Sequence, residues 1–127
     1  MRIVGIGTDI VHVPRIEAAL QRFGQRFARR VLHENEIAAR DGDVPPAFVA
    51  RRFAAKEAVA KALGVGMGAE LALNEVEVWN DPRGRPHLRL HGRSLETARR
   101  LGVDDMHLSI SDEFEYAMAY VILTTNG

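Results

Sequence analysis

Three charged side chains, Asp9, Glu57 and Lys61, stand among mostly small and apolar residues. Asp9 closes the run MRIVGIGTDI, whose Ile, Val and Gly otherwise read as a buried strand, the first and by its apolar run the most interior element. Glu57 and Lys61 lie four apart, Glu first, in a helical stretch that also holds Ala54, Ala55, Ala58, Ala60 and Ala62. A solvated i,i+4 pair of this kind is worth only ~0.3–0.5 kcal/mol and needs no function. Small residues nearly all round the helix predict close packing by neighbours, where a charge needs a partner or a task. If the strand delivers Asp9 to Glu57, the two carboxylates suit a hard divalent ion. Mg²⁺ is held by one or two carboxylates plus phosphates and water. Lys61, one turn on, is then placed to neutralise a phosphate, and Arg51 or Arg52 offers a bidentate fork. The glycines of GVGMG (64–68) allow backbone to approach phosphates, although Gly64 already serves as a C-cap and a helix C-terminus repels anions.

Other signals are weaker. The GIG at 5–7 resembles the start of a dinucleotide fingerprint, but Ile10 stands where the third glycine belongs and the glycines lie inside the strand. Gly5 and Gly7 are read as places of close backbone approach or a bulge. His107 opens HLSIS and has the chemistry to bind a phosphate or relay a proton, whereas a lone strand histidine is more often structural. His12, His33, His87 and His91 show no metal-ligand spacing with it, so a zinc site is not expected. Arg15, Arg22, Arg26, Arg29 and Arg30 face Glu17 alone between residues 15 and 30. Arg22, Arg26 and Arg29/Arg30 fall at helical spacing beside Phe23 and Phe27, which makes a solvated face or a docking face for an acidic partner. A neutral chain with 6% aromatics argues against nucleic acid.

The elements that must position these residues follow from periodicity and punctuation. A strand covers 2–10. Helices are expected from Pro14 to Gly24, over 25–32 and over 34–40, and the longest from Pro45-Pro46 to Gly64. Strands at 73–79 and 86–90 flank the turn NDPRGR. A helix over 94–102 has Ser94 as its N-cap, and a hairpin of 106–111 and 116–124 turns at DEFE. Strands and helices do not alternate regularly, so the expectation is one α+β domain over 1–127, with a largely antiparallel sheet and one long central helix. At 127 residues the chain suffices for one core. It lacks cysteine and any apolar stretch near the ~20 residues of a membrane span. Asp9 also interrupts a signal-peptide core, so a cytoplasmic protein is expected.

Taken together, GIGTDIVHVPRI, RRFAAKEAVAKALGVGMG and HLSIS with DEFEYAMAYVIL resemble, over essentially the whole chain, the holo-acyl-carrier-protein synthases. These are small 4′-phosphopantetheinyl transferases of bacterial fatty-acid and lipid biosynthesis. The resemblance implies their fold, a homotrimer with sites at subunit interfaces, and Mg²⁺-dependent transfer of phosphopantetheine from coenzyme A to a serine of apo-acyl carrier protein. It implies Asp9 and Glu57 as Mg²⁺ ligands and Lys61 beside the coenzyme A phosphates and the reacting serine. Arg52, Phe53 and Gly64 match parts of the coenzyme A site, and Arg85 and Pro86 match a loop near the adenine and 3′-phosphate. Arg15, Arg22 and Arg26 match the helix that receives acyl carrier protein, and His107 matches a histidine of the family's strand. Glu57, a water on the metal, or a route through His107 are all open as the base. Many members carry a histidine where this chain has Asp112, which receives no role. The rival reading is a non-catalytic, oligomeric module that binds coenzyme A or a nucleotide without turnover.

Overall fold

The β-branched alternation at the N-terminus carries two residues beyond its expected end, so strand β1 runs Arg2–His12. In this computed structural model, which describes all 127 residues, β1 pairs antiparallel with β5 (Tyr116–Thr125), and β5 pairs antiparallel with β4 (Asp105–Glu113). The order β1-β5-β4 puts β5 in the middle, so β5 and not β1 is the most interior strand. Strands β2 (Val76–Asn80) and β3 (Pro86–Leu90) form a separate two-stranded antiparallel sheet, so the antiparallel pairing expected holds but is divided between two sheets. Leu73–Glu75 is a 3₁₀ turn rather than strand, because the Glu75 N–H donates to the Ala72 carbonyl at 3.0 Å.

Helix α1 (Val13–Phe23) and helix α2 (Gln25–Val31) are separated by Gly24, whose φ of 57° no helical residue adopts. Helix α3 is Glu34–Ala38, and α4 is Pro46–Leu63, stopped by Gly64 in the left-handed conformation. Helix α5 (Gly92–Arg100) begins earlier than expected, since the Leu95 N–H already donates to the His91 carbonyl. Ser94 is therefore not the N-cap. It is buried inside the helix, with its Oγ 3.4 Å from the backbone N and O of Ala72.

Helix α4 lies across β1 and β5 with eleven of its eighteen residues buried, which explains the alanines on nearly every side of it. Two glycines set how close it comes. A Cβ on Gly5 would overlap the carbonyl of Ala62, and one on Gly7 would overlap the carbonyl of Ala58. Side chains at 5, 7 and 9 share a strand face, so the contact that brings α4 onto Gly5 and Gly7 also turns Asp9 toward that helix. Val11, Val59, Leu71, Val121 and Leu123 fill the core around the contact.

The other face of the sheet is uncovered. Strand register sets Ile6 opposite Ile122, Thr8 opposite Tyr120, Ile10 opposite Met118, and His12 opposite Tyr116. Ile6, Ile10, Tyr116, Met118 and Tyr120 are between 41% and 64% exposed and form a contiguous apolar surface.

Candidate functional site

Asp9 and Lys61 meet. Lys61 Nζ donates to Asp9 Oδ1 at 3.1 Å, so the lysine pairs across elements rather than with Glu57 one turn back. Lys61 is more than half exposed while the Asp9 carboxylate is largely covered. An ion pair with one end in water contributes at most ~1 kcal/mol and cannot explain a carboxylate held in the strand. Glu57 completes the group. Its carboxyl is pushed above the ordinary glutamate value by partial burial and by the negative charge of Asp9, against the pull of Lys61 and Arg15. A carboxyl partly out of water beside a second negative charge is relieved by a multivalent cation. The donors are hard oxygens, so the set fits Mg²⁺ and not a thiophilic ion.

The coenzyme A candidates lie along and beside the same helix. Phe53, Glu57 and Lys61 follow at i,i+4 steps on α4, and Gly64 ends it. From Phe53 to Gly64 the helix advances ~16 Å at 1.5 Å per residue. Arg52 is tied to the β2–β3 turn: its Nη2 donates to Asn80 Oδ1 at 2.6 Å, and Asn80 Nδ2 donates to the Gly84 carbonyl at 2.9 Å. Asn80 pairs in register with Pro86. The turn itself is preformed by Asp81, whose Oδ1 accepts from the Arg83 and Arg85 N–H groups. His87, bonded to the other carboxylate oxygen, is the main cause that holds Asp81 below the usual carboxylate range. Arg52, Arg85 and Pro86 are thus brought into one neighbourhood, with Asn80 as the link that spacing did not reveal.

Behind Arg52 lies a buried network of Lys56 and Glu36 that spacing did not reveal. Lys56, fully buried, donates to Glu36 and to the Val31 carbonyl. Burial pulls its pKa down to about 8 while Glu36 holds it up. Glu36 also accepts from the backbone N–H groups of His33 and Val78, and its second oxygen lies 3.4 Å from Arg52 Nε. Removing one partner of a buried pair costs ~3–5 kcal/mol, so this network fixes α3, β2 and Arg52 relative to α4. The capping pattern H-E-N-E at 33–36 was the available signal for Glu36.

Two expectations land elsewhere. His107 is exposed on β4, opposite Ile122, on the uncovered sheet face rather than the face that carries Asp9, so one chain alone does not bring it to the acidic pair. Gly24 breaks the basic stripe: Arg22 lies in the last turn of α1, with its guanidinium 5.1 Å from the Phe23 ring centroid, and Arg26 lies in the first turn of α2. Arg15 sits close enough to Glu57 to lower its pKa, which ties the start of the basic surface to the carboxylate site. Asp112 lies 3.6 Å from Arg51, so that arginine has an acidic partner of its own chain.

A family model for the 4′-phosphopantetheinyl transferase superfamily matches residues 5–121. A holo-[acyl-carrier-protein] synthase of Halorhodospira halophila is 55% identical over 124 residues, covering 97% of this chain and 98% of that one. Among solved structures, the holo-[acyl-carrier-protein] synthase of Neisseria meningitidis superposes with a TM-score of 0.89 at 35% identity, covering 97% and 99% of the two chains. The Bacillus anthracis holo-(acyl-carrier-protein) synthase, solved in complex with CoA (3′,5′-ADP), gives 0.81 at 40% identity over 99% and 100%.

Proposed function

Since the chain belongs to the 4′-phosphopantetheinyl transferase superfamily, we infer that it is a transferase which moves phosphopantetheine from coenzyme A to a serine of apo-acyl carrier protein. The serine oxygen forms a bond to the β-phosphorus of coenzyme A, the bond from that phosphorus to the bridging oxygen breaks, and adenosine 3′,5′-bisphosphate leaves. Such transfers depend on positioning and charge stabilisation more than on covalent chemistry of the protein.

The observation that carries the site assignment is the convergence of Asp9, Glu57 and Lys61 on one face. Asp9 and Glu57 would hold Mg²⁺, which supplies charge neutralisation at the diphosphate. Lys61 adds a half-exposed cation beside it. Arg52, Phe53 and Gly64 along α4, with Arg85 and Pro86 across Asn80, form the proposed surface for coenzyme A. Glu57 is favoured over His107 as the source of the base within one protomer, because His107 lies on the opposite sheet face. Arg15, Arg22 and Arg26 form the proposed contact for the acidic carrier protein.

The uncovered apolar face supports an oligomer, and the resemblance implies three copies. An open depression of about 680 Å³ on that face, lined by Ile10, Met118 and the β4–β5 turn, fits the interior of such an assembly better than a substrate site. No helix is long and apolar enough to cross a membrane, and a cytoplasmic reaction with one domain over 1–127 completes the proposal. The deciding experiment mixes the protein with apo-acyl carrier protein, coenzyme A and Mg²⁺ and weighs the carrier. A mass gain of one phosphopantetheine is expected. Coenzyme A binding without that gain would leave the non-catalytic binding module as the correct reading.

A further inference from the structure

A second cluster of ligating side chains lies away from the acidic pair. His33 follows α2, Glu77 is in β2, and His91 follows β3. Their donor atoms all lie within 4.8 Å of one another. His91 Nε2 is 2.8 Å from Glu77 Oε1, and His33 Nδ1 is 3.9 Å from the same oxygen. The two imidazole rings stack, 4.2 Å apart and 19° from parallel. Glu77 is 96% buried, so the cluster is built around a carboxylate taken out of water and not a surface acid. We propose that His33, Glu77 and His91 bind a divalent transition-metal ion of the Zn²⁺ class, at a site separate from Asp9 and Glu57.

The chemistry of the donors favours such an ion. Two imidazole nitrogens and one carboxylate oxygen are a common zinc set, whereas Mg²⁺ prefers oxygen alone. Arg89 lies 3.7 Å from Glu77 Oε2 and Asn35 Nδ2 3.2 Å from Oε1, so the carboxylate is oriented from outside as ligating carboxylates are. Loading would replace the contact of His91 Nε2 with Glu77 Oε1 by a bond from Nε2 to the ion, with the ring proton on Nδ1.

Loading also asks something of the chain. His33 Nδ1 now accepts the Asn35 N–H at 3.0 Å as the N-cap of α3, so its ring must turn and exchange that bond for the metal. The reciprocal bond from the His33 N–H to Glu36 remains to hold the helix start. Both histidines are partly exposed, which leaves room for water in a fourth position. The ion would then join the α2–α3 junction to both strands of the small sheet.

Tag-free protein, dialysed against a chelator, should take up one equivalent of Co²⁺ with the visible d–d bands of a tetrahedral site. Zn²⁺ should abolish them, and excess Mg²⁺ should not. The bands should be lost in His33→Gln and in His91→Gln and retained in Asp9→Ala. On the parent protein, ring ¹⁵N shifts on Zn²⁺ addition should be confined to His33 and His91, a readout that needs no variant to fold. Absence of the bands, their survival in both histidine variants, their loss in Asp9→Ala, or shifts at His12, His87 or His107 instead would each overturn the proposal.

Discussion

At the scale of single residues, Glu57 carries opposed demands. Partial burial and the charge of Asp9 raise its pKa. An acid raised on folding supports the fold while protonated and withdraws that support as pH climbs through the raised value. Without metal, Glu57→Gln should therefore melt at a higher temperature than the parent at pH 8, and the gap should close below about pH 4, where unfolded glutamate is also protonated. Turnover should move the other way, falling ~100-fold or more in Glu57→Gln and in Asp9→Ala, since each removes a proposed ligand of a metal step. Equal melting of Glu57→Gln and parent at both pH values would remove the strained-acid account. Full turnover in either variant would remove the ligand assignment. Asp112, given no role from sequence, is answered by Arg51 at 3.6 Å.

The element that decides the site is the α4–β1 contact. Asp9 meets Lys61, and its charge acts on Glu57, because β1 has no side chain at positions 5 and 7, where the α4 carbonyls of Ala62 and Ala58 pass. Gly7→Ala should destabilise the protein by about 1–3 kcal/mol through this overlap, a fall of several degrees in melting temperature. Gly66→Ala is the control: its Cβ would meet nothing within 4 Å. If the two variants melted alike, close approach would not be the reason for Gly7. The failed dinucleotide fingerprint thus has a packing explanation, and so does the alanine-rich helix. What periodicity misjudged were element starts governed by backbone bonds: a 3₁₀ turn at Leu73–Glu75 delays β2, and the bond from the Leu95 N–H to the His91 carbonyl starts α5 at Gly92, ahead of Ser94.

For the molecule as a whole, charge is balanced, 17 basic against 17 acidic residues, and its most distinctive surface is apolar. Ile6, Ile10, Met118 and Tyr120 form a face that a lone protomer would leave wet. Ile10→Glu should shift the mass in size-exclusion chromatography with light scattering from a multiple of 14.1 kDa toward the monomer. A monomeric parent protein would end the oligomer proposal. His107, on this same face, is the site candidate whose part depends on what covers it.

Residue type and spacing by themselves determined the antiparallel α+β class, the long helix from Pro46 to Leu63, the anomaly of Asp9, and the charged triplet worth testing. Those features are local: caps, periods and charges out of place are written within a few residues of one another. Only the tertiary structure decided that Lys61 turns to Asp9, that Arg52 is tied to the turn through Asn80, and that His33 and His91 converge on Glu77. Each of these joins residues from 14 to 58 positions apart, and no period or spacing rule reaches across chain reversals. Their meeting is set by how closely packed elements can approach, and here that is governed by two glycines and a buried Lys56–Glu36 pair.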